Sequence, residues 1–257
     1  MIILSRIKFL PFFLLVLIPA LLSSAIFYLG QLYSWKLQKQ ASTRFFQQSF
    51  HSSINQYEYL PALLAHDKRV KLALSDAGRE PSELNQRLKF IVQRSGLDAV
   101  YIMNTSGTVI ATNNFDQQSS YLHRNYSFRP YFANAISQRK RQFYYAIGVT
   151  TGIPGLFITE PVNDDEGTIL GVVVVKLKLS KWEKRWQDAG QNILVADDNP
   201  VIILSGQENW RYHSIGRLPQ PKLEQIQKER QFPGIQLQSL YSNHYKVNFI
   251  MVTVQRL

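Results

Sequence analysis

The sequence contains no cysteine in 257 residues, which excludes disulfides, cysteine nucleophiles, zinc fingers and iron–sulfur clusters. Charged residues are also few, at 18%, whereas apolar residues make up 45%. This balance excludes a disordered chain, because there is enough apolar material for a packed core. The length accommodates one large or two small domains.

Catalytic signatures are missing as well. No two of the five histidines have the H-x-x-x-H spacing of a metal-binding helix, and there is no G-x-S-x-G nucleophile elbow. Residues 148–155 are rich in glycine but lack the GKS or GKT ending of a phosphate-binding loop. We therefore expect no enzyme activity, metal site or cofactor within these residues.

One long apolar run is present, close to the N-terminus. Phe9–Leu29 carries no charge over 21 residues and follows Arg6 and Lys8. About 20 apolar residues span a bilayer as a helix, and basic residues before the span favour a cytoplasmic N-terminus. The small residues Ser23–Ala25 leave a cleaved signal peptide as the alternative, although signal-peptide cores are usually about 7–15 residues long. We predict a retained, single-pass membrane anchor.

The net charge of +11 raises the question of a nucleic-acid partner. The basic residues are dispersed, however, and the densest group is the short run Arg139–Arg141. Such short runs are typical of a solvated surface. We expect no nucleic-acid partner, and a positive field that attracts small anions.

The residues after the apolar run predict two helices. Gln31–Ser75 contains no glycine and carries apolar residues at helical spacing, so we expect one long stalk helix, bent near Pro61. Its apolar stripe exceeds what one small module can cover, which predicts a parallel homodimer through the stalk. A second helix opens at Pro81 and ends at Gly96.

Beyond Gly96 the period changes, and short apolar strands separated by turn residues predict an α+β fold. Two helices are expected within this region, at 181–187 and 221–230. Two strand–turn–strand openings about 90 residues apart suggest two related modules in tandem. The β-branched run Gly171–Lys176 is typical of a central strand. The predicted strands are 98–103, 107–112, 142–148, 156–162, 168–178, 192–196, 201–204, 235–241 and 245–254.

The stretch Asn125–Phe132 combines a proline, four aromatic residues and one arginine. Tyr126 and Arg129 are three residues apart, so they could share one helical turn. A guanidinium forks onto both oxygens of a carboxylate, and a tyrosine hydroxyl adds a third hydrogen bond. From these residues alone, two roles of the arginine are equally favoured: binding a carboxylate, and packing on aromatic rings of the core.

This stretch, together with the glycine-rich run 143–155 and the strand Gly171–Lys176, resembles the extracytoplasmic sensor region of four-carbon-dicarboxylate sensor histidine kinases. These are bacterial two-component receptors of the double Cache (tandem PAS-like) class. Residues 202–205 and 210–212 are similar to the membrane-proximal module of that family. The resemblance implies an inner-membrane protein whose periplasmic sensor binds succinate, fumarate or malate, with a dicarboxylate transporter as a further candidate partner.

The resemblance also implies a ligand-binding set. Tyr126 and Arg129 would hold one carboxylate, with Tyr131 beside them, and Lys176 would pair with the other carboxylate. Thr150 and Thr151 would add hydroxyl and backbone donors. Lys178 is the alternative to Lys176, because two residues apart on a strand lie on the same face. The alternative is that the same fold senses another carboxylate or an amino acid. A site for an amino acid would need an acidic residue facing the ammonium group of the ligand.

The resemblance gives the predicted organisation. A sensor kinase continues into a second membrane helix, a phosphoacceptor helix and an ATP-binding domain, and these 257 residues carry none of them. We therefore expect a sensor fragment, a truncated product or a free-standing anchored sensor. The expected segments are the cytoplasmic N-terminus 1–8, the transmembrane helix 9–29, the stalk and second helix 30–96, the membrane-distal ligand-binding module 97–187 and the membrane-proximal module 188–257.

Overall fold

The computed structural model describes residues 10–76, 81–188, 190, 192–240 and 250–253. The chain divides into two units, Met1–Ser49 and Phe50–Leu257. The predicted cytoplasmic residues 1–8 lie outside the described residues.

The first helix, α1, runs from Leu10 to Asn55. Within it, Leu17–Leu37 is long and apolar enough to cross a membrane, with a mean hydropathy of 1.3, and it is exposed to the surroundings throughout. The predicted span 9–29 overlaps this segment. Pro19 lies inside the helix, as is common in membrane spans.

The prediction of one helix to Ser75 was wrong, because three helices occupy this stretch. α1 ends at Asn55, and α2 (Tyr59–Ala65) and α3 (Lys68–Ser75) follow. The first break precedes Pro61, which lies in the first turn of α2, where a helix does not use its N–H groups. The second break is set by Asp67, whose carboxylate caps α3 by accepting from the backbone N–H of Arg69 at 2.9 Å.

The second predicted helix is confirmed as α4, Ser82–Ser95. It ends at Gly96, whose φ of 71° is left-handed and therefore favours glycine. The helix packs against strands β1 (Ala99–Asn104) and β2 (Val109–Thr112).

The residues that follow form α5 (Pro130–Gln138) and the strands β3 (Gln142–Ile147), β4 (Pro154–Asn163) and β5 (Ile169–Leu177). With β1 and β2, these strands make a first antiparallel sheet in the order β2-β1-β5-β4-β3. As predicted, the run Gly171–Lys176 lies in the central strand, β5, which is buried almost throughout. Helices α2 and α5 both pack against β4 and β5.

A second, smaller sheet contains β6 (Ile193–Ala196), β7 (Ile202–Ser205) and β10 (Ile250–Thr253) in the described residues. Its order is β10-β6-β7, with β7 antiparallel and β10 parallel to β6. The predicted strand 235–241 is much shorter than expected, because among its described residues, 235–240, only Gln238–Ser239 (β9) form a strand. Residues 245–249 and 254 of the last predicted strand lie outside the described residues. The other elements are α6 (Ser180–Asp188), β8 (His213–Ser214), α7 (Gln220–Lys228) and β9 (Gln238–Ser239).

Candidate functional site

A buried lysine lies at the end of the central strand. Lys176 is opposite Ala99 of β1 and Phe157 of β4, and its side chain is 0% exposed. Val172 and Val174, at alternate positions of the same strand, belong to a core cluster rich in aromatic residues. A lysine is almost never fully buried without a charge partner, so this position requires an explanation.

The charge partner of Lys176 is Asp98, just before β1. The ammonium Nζ lies 2.5 Å from Asp98 Oδ2, and the backbone N–H of Asp98 donates to the Lys176 carbonyl at 2.9 Å. Burial lowers the pKa of Lys176, and the Asp98 carboxylate counteracts that shift. The Lys176 ammonium also lies 5.7 Å from the centre of the Phe157 ring, at cation–π distance.

The glycine loop, residues 148–155, brings Thr151 to this lysine. Its backbone closes on itself through a bond from Gly152 N–H to the Gly148 carbonyl at 2.7 Å. The Lys176 ammonium donates to Thr151 Oγ1 at 3.5 Å. The neighbouring Thr150 hydroxyl lies 2.5 Å from that of Tyr126. The loop therefore places the Thr151 hydroxyl beside the ammonium and the Thr150 hydroxyl beside Tyr126.

A cavity of about 390 Å³ adjoins these residues. Its wall includes Asp98, Thr150 and Thr151, with Tyr121 next to them. Burial raises the pKa of Tyr121, partly offset by a hydrogen bond with Thr151, so its hydroxyl stays neutral at physiological pH. The volume and the polar lining suit a small polar ligand.

Gly155 leaves the space that the Lys176 side chain occupies. A Cβ at this position would lie 2.8 Å from Lys176 Cε and 2.8 Å from the Leu177 carbonyl oxygen. Both distances are shorter than real Cβ contacts, so any larger residue must displace the lysine stem or the strand.

We therefore expect Gly155→Ala to destabilise the protein by about 1–3 kcal/mol through overpacking. The matched control is Gly216→Ala, where a Cβ would meet no atom within 4 Å. Thermal unfolding of both variants tests this expectation. Equal melting temperatures for the two would show that the lysine stem has room to move.

Arg129 occupies a different environment from Lys176. It is 1% exposed and precedes Pro130 at the start of α5, with an extended backbone (φ −80°, ψ 131°). The idea that Tyr126 and Arg129 share one helical turn was wrong, because Arg129 N–H closes a turn onto the Tyr126 carbonyl before the helix begins. Tyr131, in the first turn of α5, stacks on Phe157 at 5.1 Å.

The Arg129 guanidinium bonds to backbone carbonyls from two regions of the chain. Nη1 donates to the carbonyls of Glu229 and Arg230, at 3.1 and 2.8 Å, and Nη2 donates to the Ile147 carbonyl at 2.8 Å. A guanidinium carries five N–H donors, and within the described part of the chain these contacts use three of those of Arg129. Arg129 thereby ties the end of β3, next to the glycine loop, to the segment that follows α7.

Gln231 makes further bonds between the same two regions of the chain. We call this bonded set of residues the junction (Arg129, Ile147 and 229–231). Its backbone carbonyl accepts from Ile147 N–H at 2.9 Å. Its side-chain amide donates to the Tyr145 carbonyl at 2.9 Å and to Asp197 Oδ2 at 2.8 Å. The first sheet and the turn between β6 and β7 are therefore bonded through one side chain.

Asp197 makes the junction sensitive to pH. Burial raises its pKa from 3.8 to about 6, although hydrogen bonds from Val201, Asn199 and Gln231 favour the carboxylate. Because this pKa is higher in the folded state, folding takes up a proton between about pH 4 and pH 6. The stabilising contribution is complete below the unfolded pKa and is lost as pH rises through the folded pKa.

We expect the free energy of unfolding to fall by about 1–2 kcal/mol from this group between pH 4 and pH 7, after allowance for its partial exposure. This fall in the free energy of unfolding should be absent from Asp197→Asn. It should remain in Asp198→Asn, which changes the exposed neighbour. Urea unfolding of the three proteins at both pH values provides the measurement. A pH dependence shared by all three would assign the effect to other groups.

Comparison with known proteins identifies relatives of this chain. No family model matches the chain. The C4-dicarboxylate transport sensor protein DctB of Pseudomonas aeruginosa is 31% identical over 183 residues, 70% of this chain and 30% of that protein. DctB of Rhizobium meliloti is 28% identical over 174 residues, 67% of this chain and 28% of that protein. The chain therefore spans less than a third of the length of these relatives.

A solved structure extends the likeness to three dimensions. The sensor domain of the V. cholerae histidine kinase DctB is 29% identical, with a TM-score of 0.73, and the match covers 81% of each chain. This chain is a homologue of the DctB sensors. The match lies in the sensor domain of a histidine kinase, which is not the catalytic part of such a protein.

In this DctB homologue the predicted site residues have different partners. Tyr126 meets Thr150, and Lys176 contacts Thr151, whereas Arg129 donates to the backbone carbonyls of the junction. The Arg129 charge is nevertheless near enough to lower the pKa of Lys176. Lys178 lies past the end of β5, is exposed and lines a different cavity, which favours Lys176 as the buried cation. The assignment of ligand contacts remains a prediction.

Two residues that contact the predicted site residues in this DctB homologue had not been predicted from the sequence. Asp98 pairs with Lys176, and Tyr101 donates or accepts a hydrogen bond with Tyr131 at 2.8 Å. Asp98 could have been noticed as a charged residue beside a predicted buried strand. Its partner could not have been identified, because the pairing of β1 with β5 joins residues far apart in sequence. Among the described residues no group of three or more acidic or histidine side chains could hold a metal ion.

Proposed function

We propose that this chain is the extracytoplasmic sensor of a two-component system and that it binds four-carbon dicarboxylates. The observation that carries the proposal is the buried Lys176 ammonium beside the glycine loop, in a homologue of proteins named as C4-dicarboxylate sensors. A buried cation next to hydroxyl donors is suited to a carboxylate, since charge-assisted hydrogen bonds are the strong ones.

The proposed contacts divide between the two ends of the ligand. Lys176 pairs with one carboxylate, and Thr150 and Thr151 donate hydroxyl hydrogen bonds from the glycine loop. Tyr126, whose hydroxyl lies 2.5 Å from that of Thr150, acts with Arg129 on the other carboxylate. Burial raises the pKa of Tyr126, so its hydroxyl keeps the proton that it donates. Arg129 remains the proposed cation for the other carboxylate, through the donors that the junction does not use, with Tyr131 beside it.

A second candidate ligand is an amino acid on the same fold. The observation that favours it is Asp98, whose carboxylate lines the cavity and faces the lysine ammonium. An amino-acid ligand could pair its ammonium with Asp98 and its carboxylate with Lys176. The two candidates therefore differ in whether the ligand needs an amino group.

We further propose that the protein is anchored once in the bacterial inner membrane through Leu17–Leu37, with Phe50–Leu257 in the periplasm. A homodimer through α1 and a dicarboxylate transporter are the proposed partners. Because the chain has no native cysteine, single cysteines placed along residues 44–50 report contacts between copies directly. We expect disulfide crosslinks with helical periodicity; uniform or absent crosslinks would indicate a monomer.

Calorimetric titration of the 257-residue chain in detergent tests the ligand class. The panel is succinate, fumarate, malate, butyrate and L-aspartate. We expect binding of at least one of the three dicarboxylates, and weaker binding of butyrate, which lacks the second carboxylate. Binding of L-aspartate without any of the dicarboxylates would favour the amino-acid candidate, and no binding by any compound would overturn both.

A further inference from the structure

Asp98 lies between the cavity and the lysine that the proposed function assigns to the ligand. The Asp98 side chain is 14% exposed and lines the cavity, whereas Lys176 is 0% exposed behind it. The distance between Oδ2 and Nζ is 2.5 Å, so the carboxylate occupies one side of the ammonium. The cavity wall therefore presents Asp98 and Thr151, which are two partners of Lys176, and not the ammonium itself.

Contacts other than the one with Asp98 fix the position of the Lys176 side chain. Its backbone is fixed between Ala99 and Phe157 in the centre of the sheet. Its stem passes so close to Gly155 that a single added carbon would overlap it, and its ammonium has a second partner in Thr151. The Asp98 carboxylate therefore neutralises a cation that is already positioned.

We propose that Asp98 is an internal competitor that occupies Lys176 in place of a ligand carboxylate and thereby sets the affinity threshold of the site. This inference rests on the proposed function. If only a fraction of the molecules has the ion pair open, the apparent dissociation constant is the intrinsic constant divided by that fraction. The Asp98–Lys176 pair is also neutral, whereas the opened pair offers an uncompensated positive charge to a dianion.

Asp98→Asn tests the inference, because asparagine keeps the shape of aspartate and removes the charge that competes. We expect succinate to bind at least about tenfold more tightly to this variant than to the parent, which corresponds to about 1.4 kcal/mol. The comparison uses the 257-residue chain in detergent, and circular dichroism confirms that each variant is folded.

The matched control is Asp116→Asn. It removes the same charge from another ion pair near the cavity, because Asp116 Oδ2 lies 2.5 Å from the ammonium of Lys89, a residue of the cavity wall. A general electrostatic effect on a dianion would appear in both variants. We expect the gain at Asp98 to exceed the gain at Asp116 by at least about fivefold, because only Asp98 occupies Lys176.

A thermal measurement keeps the test decisive if Asp98→Asn is less stable. Removing the partner of a buried lysine should lower the melting temperature in buffer. Internal competition then requires that saturating succinate raises the melting temperature of the variant by more than it raises that of the parent. A purely structural role would lower the melting temperature without enlarging this ligand-induced rise.

The outcomes separate the inference from the proposed function. Equal or weaker succinate binding by Asp98→Asn, with normal binding by the parent, overturns the competitor role and leaves the dicarboxylate proposal intact. A selective loss of L-aspartate binding would instead assign Asp98 to a ligand ammonium, and this also overturns the inference. A parent chain that binds no dicarboxylate overturns both.

Discussion

Replacing Lys176 with methionine is expected to remove most of the proposed preference for succinate over butyrate. Methionine is similar in length and apolar, so it fills the buried space that the lysine stem occupies beside Gly155. A hydrogen bond to a charged group contributes about 1.5–3 kcal/mol, which corresponds to a roughly 10- to 150-fold difference in affinity. The parent should show a difference of this size between the two ligands, and the variant should show little.

Lys178→Met is the matched control for this experiment. It makes the same substitution two residues away on the same chain, at an exposed side chain beyond the end of β5. We expect it to leave the succinate preference within about twofold of the parent, since an exposed charge at a distance is screened by salt. The preference is measured by titration of both ligands into all three proteins. A variant of Lys176 that loses succinate and butyrate equally would show that the lysine shapes the pocket without binding the second carboxylate.

Arg129→Lys is expected to lower the free energy of unfolding by about 2–5 kcal/mol. Lysine keeps the charge but cannot reproduce the planar fork that bonds to Ile147, Glu229 and Arg230 at once. At least one buried carbonyl then loses its donor, at a cost of about 1–3 kcal/mol for each unpaired group. Urea unfolding monitored by circular dichroism gives the measurement.

The control for Arg129 is Arg230→Lys. The two guanidinium groups lie at similar distances from the centre of the Phe128 ring, 5.4 and 5.0 Å, but Arg230 is exposed. We expect a change below about 0.5 kcal/mol for this exposed site. Should Arg129→Lys unfold like the parent and yet lose succinate, the junction bonds of Arg129 would contribute little to stability and its main role would be at the ligand.

The regular elements were predictable wherever local pattern and burial agree. The run Gly171–Lys176 indicated a central strand, because β-branched residues without a polar alternation suit a strand covered on both faces. Gly96 indicated the end of α4 because only a left-handed residue closes that turn. The bend expected near Pro61 is instead a break at Gln56–Glu58, because the proline lies in the first turn of α2, where a helix tolerates it.

The apolar span, the α+β fold and a lysine at the end of the central strand were predictable from the amino-acid pattern, because each depends on neighbouring residues. The pattern could not distinguish Lys176 from Lys178, because both lie on one face of an extended strand, and only the end of β5 at Leu177 separates a buried ammonium from an exposed one. It could not pair Asp98 with Lys176 or Arg129 with the carbonyls of Glu229 and Arg230. Those contacts join residues about 80–100 positions apart, and only strand pairing and packing bring such groups together.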